Sequence, residues 1–186
     1  LREVLNPSEI FLSERPTDVS GSVVVSVLEG SRPLLVEIQA LVSKSSFGYA
    51  RRRSQGFDFN RLSLLIAVLE KRIGLHLEAE DIFVNVAGGI KIEDPAADLG
   101  VAVAITSAFR EQLVAPETAI LGEVGLAGEI RSISQAAIRI NEAGKLGFKH
   151  CILPGNNYKH LGKKAEDIEL IPVSTLKETL DIALRR

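Results

Sequence analysis

Two runs rich in valine and leucine, Ser22 to Leu28 and Leu34 to Val42, are separated by the polar tip Glu29-Gly30-Ser31-Arg32-Pro33 and predict a β-hairpin. Further on, Ile82, Val84 and Val86 alternate with Phe83, Asn85 and Ala87, the pattern of a mostly buried strand that ends where Gly88-Gly89 lets the backbone turn. Asp94-Pro95 is a helix start, because the aspartate can accept from an orphan N–H and proline at the first helical position loses no hydrogen bond. The helix that follows carries Leu99, Val101, Ala102, Val103, Ala104 and Ile105, apolar nearly all round, and so is expected to be central and buried.

The remaining pattern is of the α/β kind. Leu62, Leu65, Ile66, Val68, Leu69 and Ile73 form the apolar stripe of a helix over Arg61 to Gly74, with Glu70-Lys71-Arg72 outside and the glycine as its stop. A strand near Ala119 to Leu121 and a hairpin over Gly125 to Arg131 come next. They lead to a helix from Ile133 to Leu146 with Ile138 and Ile140 inward, short strands at Cys151–Leu153 and Ile168–Pro172, and a closing helix over Thr175 to Leu184. Leu1 to Ser20 mixes Pro7 and Pro16 with isolated apolar residues and reads as a lead-in at the domain edge, with Asn6 or Ser8 capping at most a short turn.

Composition narrows the class. A chain of 186 residues, 46% hydrophobic and 25% charged, fits one soluble globular domain with a sizeable core. No apolar run is long enough to span a bilayer and no basic-then-apolar leader opens the chain, so a cytoplasmic location without membrane contact is expected. The absence of methionine and the start at Leu1 suggest a piece of a longer polypeptide. Cys151 stands alone, which rules out an internal disulfide or a cysteine-based zinc site, and Ile152-Leu153 beside it suggest a buried thiol. No G-x-x-x-x-G-K-[ST] run is present, so ATP binding by a Walker A loop is not expected of this piece.

Charge is unevenly placed. Ser43 to Arg61 holds Lys44, Arg51, Arg52, Arg53 and Arg61 against Asp58, a net of +4, which leaves −6 for the rest of a chain whose total is −2. Serines and glycines make this stretch a loop or a frayed strand. An isolated arginine triplet is ordinarily a solvated surface; here Phe47 and Tyr49 flank it, and arginine suits bidentate phosphate contacts. A flexible basic arm of this kind would hold nucleic acid by its backbone, with Arg32 and Arg131 as candidate extensions if their hairpin tips face the same way. Glu93, Asp94 and Asp98 could be a metal cluster, but acids at a helix start with no histidine nearby fit the helix dipole better. His76, His150 and His160 are scattered and read as surface or loop residues.

Several blocks carry a family resemblance. Asp94-Pro95-Ala96-Ala97-Asp98 resembles the D-G-P-S-A-G run of Lon-type proteases, with Ala96 at the nucleophilic serine, and the segment Leu121 to Ile130 resembles their G-E-V-x-L-x-G block. The ungapped position of their general-base lysine is Ala137. Alanine supplies neither a nucleophile nor a base, and a substitute pair such as Ser107 with Lys145, or Ser134 with Lys91, would need a new geometry. Residues 36–42, 57–62, 84–89 and 93–98 together are similar to the C-terminal Lon-protease-like domain of the bacterial DNA-repair family RadA, also called Sms.

The resemblance implies a fold like ribosomal protein S5 domain 2, a mixed sheet with packed helices over 21–186, preceded at 1–20 by a linker from a RecA-like ATPase core. It implies a non-enzymatic module that binds DNA and helps form a hexameric ring. The parent would be an ATP-dependent DNA helicase active in branch migration with RecA, its ATP, magnesium and zinc bound outside this piece. A residual Ser-Lys peptidase and a purely structural oligomerisation domain are the alternatives. Lys44, Arg51, Arg52, Arg53 and Arg61, with Arg32 and Arg131, are the expected DNA contacts.

Overall fold

The two valine- and leucine-rich runs form the spine of the sheet. In a computed structural model, which describes residues 6–46, 48–161 and 167–185, β1 (Ser22–Glu29) and β2 (Arg32–Lys44) are antiparallel, with Val25 opposite Val36 and Glu29 opposite Arg32. The other strands are β3 (Arg52–Gln55), β4 (Glu80–Val86), β5 (Leu113–Val114), β6 (Thr118–Ile120), β7 (Glu123–Val124), β8 (Ile130–Arg131), β9 (His150–Pro154), β10 (Glu169–Val173) and β11 (Leu184–Arg185). Seven of them make one mixed sheet in the order β10-β9-β6-β1-β2-β4-β3. β7 pairs with β8 and β11 with β5 in two small ribbons.

The helices are α1 (Pro7–Leu12), α2 (Phe59–Val68), α3 (Asp98–Arg110), α4 (Ala136–Lys145), α5 (Gly155–His160) and α6 (Leu176–Ala183). Strand alternation sorts the side chains onto two faces. On one, Val23, Val25, Val36, Ile38, Ile82 and Val84 pack with α2, α3 and α6. On the other, Val24, Leu35, Ala119 and Cys151 pack with α4 and with Leu12 of α1. That second layer of helices stops short of β4 and β3, where Leu41 is 63% exposed and Asn85, Arg53 and Gln55 are exposed. Among the described residues, the outer half of this face is open.

Local chemistry accounts for most boundaries. Asp94 caps the helix start by accepting from the Ala96 N–H at 3.0 Å, and a short 3₁₀ turn at Pro95–Ala97 leads into α3, whose residues Asp98 to Ser107 are all buried. Gly100 allows the close approach of α3 to β1, since a Cβ there would lie 2.1 Å from Val25 Cγ1. The lead-in is more structured than a lone turn: Asn6 caps α1, and the buried Ser8 hydroxyl accepts from the Leu35 N–H of β2 at 3.0 Å. Phe11 then lies over Gly88, where φ is +80° and a Cβ would meet the ring at 2.4 Å.

Three expectations shift. The helix of residues 61–74 begins two residues earlier, at Phe59, because Asp58 accepts from the Arg61 N–H; it runs through a π-turn at Leu69–Ile73 to Gly74. The helix expected from Ile133 begins at Ala136, since Asn157 clamps both the N–H and the C=O of Ile133 at 2.9 Å in a loop. Its inward residues are Ala136, Arg139, Ile140 and Ala143, with Ile138 half-buried. The basic stretch is no flexible arm, because residues 52–55 pair in parallel with β4. Phe47, residues 1–5 and residues 162–166 lie outside the described residues.

Candidate nucleic-acid interface

A buried ion pair stands next to Ala96, the residue expected at a Lon-type nucleophile position. Ala96 is 1% exposed within the α4-side core, whereas Ala137 is exposed in the first turn of α4. Two residues further along α4, the fully buried Arg139 donates to Asp94 at 2.7 Å, to the Ser26 carbonyl at 2.7 Å and to the Ser134 carbonyl at 2.9 Å. Asp94 in turn accepts from the N–H groups of Ala96 and Leu28. A carboxylate so occupied is structural chemistry, holding a helix start, a strand end and α4 together. Arg139 does not stand out in the sequence, where a lone arginine in a helix gives no sign of burial.

The other members of the acidic cluster are also matched. Asp98, fully buried, takes a bidentate bond from Arg61 and accepts from the Val124 N–H. Burial pushes its carboxyl above the usual range against the opposing pull of Arg61. Glu93 lies 3.6 Å from Lys91 on the surface. Of the suggested Ser/Lys pairs, Ser107 donates to the Gln112 carbonyl and accepts from the Gly21 N–H, while Ser134 faces Arg139 and Lys91 faces Glu93. His76 and His160 are exposed, and the half-buried His150 lies 3.2 Å from Glu169. Burial pushes the Cys151 thiol up to about 12.

The basic residues divide into groups. Arg32 and Lys44 are at opposite ends of β2, twelve residues and therefore about 40 Å apart at ~3.3 Å per residue. β6 runs parallel to β1, so the chain enters the β7–β8 ribbon at the Arg32 end, and Arg131 there lies 3.4 Å from Glu129. Arg61 is spent on Asp98, across the sheet from the open face. Lys44, Arg51, Arg52 and Arg53 do gather at one end. Alternation directs Arg52 to the helix-covered side, where it donates to the carbonyls of Glu80 and Leu77. Lys44 is exposed at that end of β2.

Arg51 and Arg53 belong to the open face. The register places Arg53 beside Phe83 and Leu41, and Gln55 beside Asn85 and Gln39. Arg51 is held to Asp81 by two side-chain bonds of 2.9 and 2.6 Å, and its guanidinium carbon stands 5.6 Å from the Phe83 ring centre. The Arg51 guanidinium keeps the Asp81 carboxyl below the usual carboxylate range. Arg53 has no carboxylate partner among the described residues. The resulting surface is a concavity of about 770 Å³ bordered by Phe59, itself 49% exposed. Its neutral members escaped sequence reading, although the alternation that buries Val84 also turns Phe83 and Asn85 outward.

Comparison with known proteins agrees with this architecture. Residues 60–157 match the family described as subunit ChlI of Mg-chelatase, so the chain belongs to that domain family. It is 52% identical over 188 residues to the DNA repair protein RadA of Halalkalibacterium halodurans, covering 100% of this chain. The corresponding figures are 50% over 184 residues for RadA of Bacillus subtilis and 48% over 184 residues for RadA of Listeria monocytogenes, each covering 99% of this chain. The chain spans 40% of the length of each of these relatives. Identity at that level over the whole chain places it in the RadA family of DNA repair proteins.

Proposed function

We propose that this chain is a proteolytically inactive Lon-like domain that binds DNA through the phosphate backbone and helps scaffold a ring-shaped, hexameric oligomer. The parent protein is then a DNA-dependent ATPase that processes recombination intermediates by branch migration together with RecA. Its ATP, magnesium and zinc are bound outside this chain, and residues 1–20 are the linker from the ATPase core. Loss of both reactive groups, with Ala96 and Ala137 at the serine and lysine positions, supports inactivity. An arginine-lined end of the sheet carries the DNA reading: Arg53 has no carboxylate partner among the described residues and shares the open face with Arg51, which keeps half its surface exposed, and Lys44, also without a carboxylate partner among them, is exposed at the same end of β2.

Charge reversal tests this. Replacing Arg53 and Lys44 together by glutamate is expected to weaken binding to any DNA sequence and to flatten the log–log salt dependence by about 0.9 for each phosphate that is no longer neutralised. Unchanged affinity and slope would remove the proposal. Arg32 and Arg131, at the far end of the sheet, belong to the same track only if DNA spans the domain, and their reversal reports that separately. Incubation with unfolded casein is expected to release no fragments. Cleavage abolished by Ser107→Ala or Ser134→Ala would restore the peptidase reading.

A further inference from the structure

The open half of the sheet carries more than charge. Its two central rows, read across β2, β4 and β3, are Leu41-Phe83-Arg53 and Gln39-Asn85-Gln55. The first offers an aromatic face and a cation, the second a line of amides. Glu37 accepts from Gln39 Nε2 at 3.3 Å, and Gln39 Oε1 accepts from Asn85 Nδ2 at 3.1 Å, which fixes both amides. Asn85 Oδ1 and the Gln55 amide have no hydrogen-bond partner among the described residues. Among the described residues, no carboxylate lines the concavity. A duplex presents only phosphates and groove edges to a sheet, so it would leave this apolar row in water, whereas unpaired bases would cover it.

The geometry points to single-stranded DNA as the occupant of this face. Bases stack on Phe83 and on Phe59 at the rim, Asn85 and Gln55 meet base edges, and Arg53 with the exposed part of Arg51 holds the phosphates. The inference rests on the DNA-binding reading and adds the strand class and the aromatic platform. A phosphate-only track needs Arg53 but not Phe83; a stacking platform needs both.

The test uses this chain with a fluorescent deoxythymidine oligonucleotide, a duplex of equal length and a photoreactive 5-iododeoxyuridine oligonucleotide. Phe83→Ala is expected to weaken single-strand binding by about 5-fold to 100-fold, the range of one stacked base. Duplex binding should change little, Phe83→Tyr should retain the stacking, and crosslinks should fall on peptides containing Phe83 or Phe59. Since Phe83 is partly buried, Leu41→Asn and Gln55→Ala, both at exposed positions, give a second reading less exposed to misfolding and are also expected to weaken single-strand binding selectively. If Arg53→Glu weakens both nucleic acids equally while Phe83→Ala and Leu41→Asn change neither, stacking is refuted and the phosphate track survives. If Arg53→Glu and Lys44→Glu also change neither, both readings fall. Loss of self-association in Leu41→Asn with DNA binding intact would assign the face to a second copy of the chain and overturn the inference.

Discussion

Replacing Arg139 by methionine keeps most of the side-chain volume and removes the charge from the place where α3, α4 and β1 meet. The wild-type guanidinium is fully buried, pairs with Asp94 at 2.7 Å and donates to the carbonyls of Ser26 and Ser134. Its removal leaves a largely buried carboxylate without a counter-charge and two carbonyls without a donor, and breaking such a pair from one side costs about 3–5 kcal/mol. With a urea m-value of about 2 kcal/mol/M, the unfolding midpoint falls by ~1.5–2.5 M. Asp94→Asn is the partner variant: asparagine still caps the helix, but Arg139 is left unpaired. In the double variant the two destabilisations should be less than additive by more than about 1 kcal/mol, which equilibrium unfolding of all four proteins measures. A destabilisation below about 1 kcal/mol in R139M, or strict additivity, would show that the pair does not hold this junction.

Three further outcomes follow from the geometry. Arg51 lowers the Asp81 pKa, so the ionised carboxylate favours the folded state above its unfolded value of about 3.9, and this contribution disappears as pH falls through the depressed folded value. D81N should therefore melt below wild type at pH 7, with the gap closing on acidification in a melting series taken down to about pH 2.5. Gly100→Ala puts a methyl against Val25 Cγ1; the clash, about 1–3 kcal/mol, outweighs the ~1 kcal/mol that alanine gains in a helix, and a thermal melt should show net destabilisation or at best no gain. The Cys151 thiol, fully buried and pushed up to about 12, should resist an aromatic disulfide reagent at about pH 8 until the chain is unfolded.

The α/β architecture was legible because its signals are local. Valine- and leucine-rich runs around a polar tip gave the β1–β2 hairpin, Asp94-Pro95 gave the start of the central helix, and Gly74 gave the end of the helical stretch before it. What a residue faces across the fold was less legible. Arg139 looks like any helix-surface arginine, and only the convergence of Asp94 and Ser26, remote in sequence, makes its burial tolerable. Arg61 stands in the same basic stretch as Arg53, yet Asp98 claims it, while Arg53 faces open solvent. Charge alone grouped Arg32 and Arg131 with the triplet; the length of β2 separates them. Phe83 and Gln39 were hidden for another reason: alternation tells which side chains leave the core face, not whether a second layer of helices covers them along the strand.

The two outermost strands of the large sheet, β3 and β10, are poor templates for a further strand. β3 is four residues long with arginine at its first two positions, and Pro172 interrupts the donors of β10 with no N–H of its own. Copies of this chain held at high local concentration are thereby kept from zippering backbone to backbone. Any association between copies is left to side-chain surfaces, which can be remodelled one residue at a time without exposing the protein to fibrous growth.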